Sequence, residues 1–140
     1  LKEKRGAFVT ITKNHRLRGC IGYILPVKPL YQTVREVAEE AALHDPRFMS
    51  VCPSELSHLQ IEISVLTVPK PLKNKDLSKI RIGRDGLIIR KNGYQGILLP
   101  QVATDYNWNR IEFVEETCRK AGLPREAWKD PDTEILYFSA

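Results

Sequence analysis

The sequence predicts an α+β domain with mainly antiparallel pairing, and three observations carry that reading. Asn92-Gly93 stands between two apolar runs in GLIIRKNGYQGILLP, which specifies a two-residue hairpin because both turn positions need φ > 0. AFVTIT (7–12) and Arg16 to Gly22 read as two strands around a KNH turn, a second hairpin. Between and after them lie two stretches of helical period. Short connections and hairpins favour this class over a doubly wound sheet.

Taken in order, the first helix follows Pro29. Leu30, Val34, Val37, Ala38 and Ala41 make one stripe, and Pro46 disfavours helix at the residue before it, so the helix should end near His44. A short helical turn is expected from Pro53. QIEISVL (60–66) alternates Ile61, Ile63 and Val65 against Gln60, Glu62 and Ser64, a strand of period two. The basic connector PKPLKNKDLSKI leads to the Asn-Gly hairpin, and the residues at 69–79 are the natural place for a split into two strand–helix lobes. Ile111, Val114, Cys118 and Ala121 form the second helical stripe, stopped by Gly122 and Pro124. TEILYFSA reads as a last strand.

The 140 residues suit one domain, and 42% hydrophobic with 28% charged residues is ordinary globular composition. No apolar run approaches the ~18 residues a membrane span needs, so a soluble protein is expected. The chain starts at Leu1 inside a charged run, which reads as an N-terminally truncated start. Cys20, Cys52 and Cys118 contain no CxxC pair, which disfavours a disulfide framework and a structural zinc, so a cytoplasmic setting is expected.

The net charge of +5 is unevenly spread. Residues 1–35 carry eight Lys/Arg against Glu3, and residues 70–95 carry eight against Asp76 and Asp85; the intervening and final segments are acidic. The two basic segments are candidates for binding nucleic acid or an acidic protein, and a mixed solvated surface is the alternative.

The chemistry-bearing candidate is RLRGCIGYILP (16–26). On a regular strand Arg16, Arg18, Cys20 and Gly22 share a face, which brings the Arg18 guanidinium toward the Cys20 thiol. A nearby cation makes a thiol a better nucleophile, and Gly19 and Gly22 let a ligand approach the backbone. Against this, cysteine is among the most buried residue types, and glycines permit bulges that break the alternation. In HDPRF, Asp45 and Arg47 make either a structural staple or an anion contact. His44 sits at a helix C-terminus, where a cation is favoured without any catalytic role. Cys118 belongs to a core stripe, and Cys52 has no activating neighbour in sequence. Asp130, Asp132 and Glu134 stand close together, but Lys129 among them favours a solvated turn over a cation site. There is no GxSxG, Walker lysine, HExxH or GxGxxG in a strand-to-helix context, so no cofactor or metal is indicated.

LRGCIG, followed by DPRF, SVLT, LLPQV and AGLPREAWKDPD, resembles the AMMECR family over nearly the whole chain. The resemblance implies an α+β fold with strand–helix units around a curved, barrel-like antiparallel sheet. It also implies an additional helical segment before the first strand, in keeping with a truncated start. Arg18, Cys20, Arg47, Phe48 and Ser64 match the family's motif positions, whereas His44 falls where the motif varies. A regulatory role in transcription, replication, repair or translation has been suggested for the family, and its prokaryotic members are placed beside radical-SAM and Memo-like proteins, which implies a modification system. Two readings follow. One is a cleft centred on Cys20, with Arg18 and Arg47 tuning the thiol or holding an anion, lined by Gly19, Gly22, Phe48 and Ser64, with Gln101 of LLPQV as a further candidate. The other is a basic binding module.

Overall fold

The computed structural model describes residues 2–140, which form two compact units divided between Val68 and Pro69. In the first unit, β1 (Ala7–Lys13) is the central strand of a three-stranded antiparallel sheet, flanked by β2 (Arg16–Tyr23) and β3 (Leu59–Val65). Asn14 and His15 take positive φ in the β1–β2 turn. The helix α1 (Leu30–Leu43) begins after Pro29 and ends at His44, as its stripe and prolines predict. Val37 and Ala41 of α1 pack on Val9 and Ile11 of β1, with Ile21 and Leu59 at the margin. Each fully buried branched side chain there contributes roughly 1.5–3 kcal/mol through removal from water.

β3 forms where the sequence predicts a strand, yet Gln60 to Ile63 are all exposed while Ser64 is buried. The reason lies in the layout: α1 packs on β1 and β2, and β3 occupies the far edge of the sheet. Glu55 lies in a 3-10 helix, Pro53–His58, that leads into β3.

The second unit is a four-stranded sheet in the order β4 (Lys70–Pro71), β7 (Glu134–Ser139), β5 (Asp85–Lys91), β6 (Tyr94–Leu98). Asn92 and Gly93 form the expected positive-φ hairpin turn. The short helix α2 (Pro100–Asp105) has too few residues to show a period in the sequence. α3 (Arg110–Lys120) starts on an Asn109–Glu112 capping box and buries Phe113, Val114, Thr117 and Cys118 against Leu87, Ile89 and Ile135. Ile111, placed on the buried stripe from sequence, is exposed; Phe113 and Thr117 take its part. The strands therefore lie in two open sheets, and no closed barrel is present among the described residues, contrary to the barrel-like sheet implied by the family resemblance.

Candidate functional site

Cys20 sits in the middle of β2, half-buried, opposite Thr10, whose Oγ1 is 3.3 Å from Sγ. The same strand row continues to Glu62 of β3, and the next row on that face joins Gly22, Phe8 and Ser64. The register slips between Ile11 and Thr12: Gly19 faces Ile11, Leu17 faces Thr12, and Arg18 is the extra residue of a β-bulge. A slip of one residue exchanges the two faces, so the alternation that would put Arg16 and Arg18 beside the thiol stops at the bulge. Arg18 instead makes a two-pronged contact with Glu55, Nε to Oε1 at 3.1 Å and Nη2 to Oε2 at 3.2 Å. Lys13 adds a bond to Glu55 at 3.0 Å, and the Cys52 amide adds another at 2.8 Å. Held by Arg18 first, then by that amide and Lys13, the Glu55 carboxyl is pulled down to about 2.

Both glycines have packing reasons. A β-carbon on Gly19 would stand 2.1 Å from the Ala41 carbonyl oxygen, so glycine is what lets β2 lie against α1. One on Gly22 would stand 2.4 Å from the Phe8 ring and 2.5 Å from the Ala7 carbonyl oxygen.

The HDPRF loop closes over the outer edge of β2. Asp45 is buried and accepts from the Cys20 amide at 3.0 Å, the Arg47 amide at 3.0 Å and the Arg47 guanidinium at 2.8 and 3.0 Å. Arg47 Nη2 in turn donates to the Cys20 carbonyl at 3.3 Å. The loop thus satisfies the donor and the acceptor that an edge strand would leave bare. The Arg47 guanidinium holds the Asp45 carboxyl well below the usual carboxylate range, helped by the two amides. Arg47 also stacks over the Phe48 ring at 5.4 Å. So Cys20, Asp45, Arg47 and Phe48 meet through the Cys20 backbone, and Arg18 turns to Glu55. His44 points to Glu40, 3.4 Å away. Gln101 lies on α2 in the second unit.

In the second unit a concavity of about 490 Å³ is lined by Lys70, Lys73, Lys79, Arg84 and Tyr137, with Pro71 and Leu72 behind them. β4 brings Lys70 opposite Tyr137 of β7, and two 3-10 turns, Lys73–Lys75 and Leu77–Lys79, present the other lysines. Arg84 is fixed on the buried Asp85, with bonds of 2.7 and 3.0 Å, and Asp85 also takes the Arg81 amide. Among the described residues no ion pair uses Lys70, Lys73 or Lys79. Asp76, the acid nearest in sequence, is occupied by Ser78, whose hydroxyl and amide hold it ionised with help from Lys79.

Two features escaped sequence reading. Glu55 stands three residues after Cys52, the capping-box spacing, but a cysteine in place of Ser or Thr hides the signal. Lys91 reaches from the hairpin to within 2.5 Å of Asp130 and 3.8 Å of Asp132, so those acids hold an ammonium. No group of three or more potential ligands for a metal exists among the described residues, and no helix is long and apolar enough to cross a membrane.

An α+β chain with a glycine-flanked cysteine strand clamped by an Asp-Pro-Arg loop defines the class. The AMMECR1 family model matches residues 1–140, and the chain belongs to that family. It is 47% identical over 148 aligned residues to a protein of Thermococcus gammatolerans, covering all of this chain and 72% of the relative. A Methanothermobacter thermautotrophicus protein is 48% identical over 143 residues, covering 99% of this chain and 74% of its own length. The crystal structure of an uncharacterized protein from Pyrococcus horikoshii superposes with a TM-score of 0.94 at 43% identity, covering 99% of this chain and 72% of that one.

Proposed function

We propose that this chain is a binding module for a phosphate-rich polyanion, engaged through the basic concavity of its second unit. The observation that carries the reading is the set of Lys70, Lys73 and Lys79, free of ion pairs, around a hollow floored by Leu72 and Pro71. Lysines outside ion pairs present charge that no neighbouring carboxylate compensates, and a hollow concentrates their field. In the other basic segment four of the eight cations are paired: Lys13 and Arg18 sit on Glu55, Lys28 on Glu36, and Arg5 on Glu3 and the Leu66 carbonyl. The same holds for Arg47, whose guanidinium is committed to Asp45. This argues against Arg18 and Arg47 as anion-holding groups beside Cys20.

The test is binding of labelled inorganic polyphosphate as a function of salt. With three or four phosphate contacts the log–log slope should be about −2 to −3. No binding at low salt, or a flat slope, contradicts the reading. So does tighter binding of polyglutamate, which would make an acidic protein the partner.

The Cys20 cleft stays as a second reading on one observation, the Thr10 hydroxyl 3.3 Å from the thiol, and partnership with radical-SAM or Memo-like proteins in a modification system attaches to it. It requires that Cys20→Ser abolish a reaction while leaving the fold and polyanion binding intact.

A further inference from the structure

Three aromatic rings in the second unit step outward from the core to solvent. Phe113 is fully buried, Trp108 lies 6.4 Å from it and is packed against the same core, and Tyr106 stacks on Trp108 with ring centres 5.0 Å apart at 14°. Tyr106, the outermost ring, is 68% exposed. Its backbone is fixed: the Tyr106 amide donates to Val102, Asn107 takes positive φ, and the Trp108 amide returns to Ala103 at 2.9 Å. An exposed tyrosine normally has several rotamers open, and a parallel tryptophan beneath it restricts the ring to one plane.

The elements flanking these rings, α2 and the start of α3, touch the segment that leads into the basic concavity. The segment 80–84 joins two of the lining residues, Lys79 and Arg84. Arg110, at the start of α3, donates to the Ile80 carbonyl at 2.6 Å, and a β-carbon on Gly83 would meet Thr104 of α2 at 3.5 Å. Arg81 and Arg110 are exposed on this stretch, opposed by Asp105 and by Glu112, which is taken up in the α3 capping box.

We infer that the ligand of the concavity is single-stranded nucleic acid, one of whose bases stacks on the outer face of Tyr106 while its phosphates lie along Lys79, Lys73 and Lys70. The inference rests on the polyanion reading and names its ligand. Every nucleobase has a π-face, so a flat preformed ring next to a basic track selects unpaired bases without selecting sequence. A duplex keeps its bases stacked inside and cannot offer one to Tyr106. Polyphosphate has no base to offer.

The experiment compares labelled oligodeoxythymidylate, a duplex of equal charge and inorganic polyphosphate on the whole chain at low salt. Tyr106→Ala should weaken oligodeoxythymidylate binding about tenfold or more, leave the salt slope unchanged, and leave polyphosphate binding unchanged; Tyr106→Phe should bind like the parent. Tyr106→Phe keeps the ring on Trp108 and should hold the parent's unfolding midpoint, and unchanged polyphosphate binding shows that Tyr106→Ala is folded. If Tyr106→Ala alters neither ligand, or weakens both equally, the stacking inference is overturned while the charged concavity stands. Tighter binding of the duplex than of the single strand overturns it as well. If none of the three binds at low salt, both readings fall together.

Discussion

Gly19 has no room for even a methyl group, because the Ala41 carbonyl oxygen would be 2.1 Å from it. Gly19→Ala should therefore destabilise the chain by about 1–3 kcal/mol or more, since strand and helix must separate. Gly93 meets nothing within 4 Å but has φ +83, so Gly93→Ala should cost only about 1–2 kcal/mol, from backbone strain alone. Urea midpoints of the two variants check the order. The three thiols differ as sharply. Cys52 is exposed, Cys20 half-buried and Cys118 buried, with burial also pushing the Cys118 thiol up. Iodoacetamide labelling followed by mass spectrometry should modify Cys52 first, Cys20 more slowly and Cys118 only on unfolding; faster labelling of Cys20 than of Cys52 would revive the thiol reading. The sequence singled out Cys20 and its glycines but not their reason. Steric exclusion at Gly19 depends on where α1 lands, and the bulge at Arg18 is a choice of register that no local period encodes.

Among the elements, α1 was legible to within a residue, because a prolonged apolar stripe between two prolines leaves few other solutions. The hairpin at Asn92-Gly93 was equally legible through its turn chemistry. α2 and β4 were not, being too short to carry a period. The burial of β3 is not legible in the sequence, because alternation reveals two faces without telling which strand lies at an edge. The HDPRF loop is the element on which β2 depends. Asp45→Asn leaves the Cys20 amide and the Arg47 guanidinium imperfectly paired and should cost about 1–3 kcal/mol at neutral pH. The folded-state carboxyls of Asp45 and Glu55 lie below their ordinary values, so their contributions are complete above about pH 4.5 and fade as pH falls, for Glu55 toward about 2. The difference in unfolding midpoint between the parent and Asp45→Asn or Glu55→Gln should accordingly shrink from about pH 6 to about pH 3; a constant difference would place their roles outside ionisation.

At the scale of the whole molecule, the uneven charge along the sequence anticipated basic surface, but not which cations are free. That depends on which carboxylates fold beside them: Glu55 occupies Lys13 and Arg18, Glu36 occupies Lys28, and Asp130 occupies Lys91. Among the cations outside ion pairs, Lys70, Lys73 and Lys79 are the ones gathered around the hollow beside Tyr137. Tyr106 and Trp108 escaped sequence reading because two aromatics two residues apart stack only when a left-handed Asn107 folds the chain between them. The most direct measurement is the salt dependence of oligodeoxythymidylate binding to the parent chain, to the triple variant Lys70→Ala, Lys73→Ala, Lys79→Ala, and to Cys20→Ser. Loss of three phosphate contacts should weaken binding at low salt at least about tenfold and flatten the log–log slope by about 2, while Cys20→Ser matches the parent. Parent-like affinity and slope in the triple variant, with binding lost in Cys20→Ser, would contradict the lysine surface and return the function to the cysteine strand.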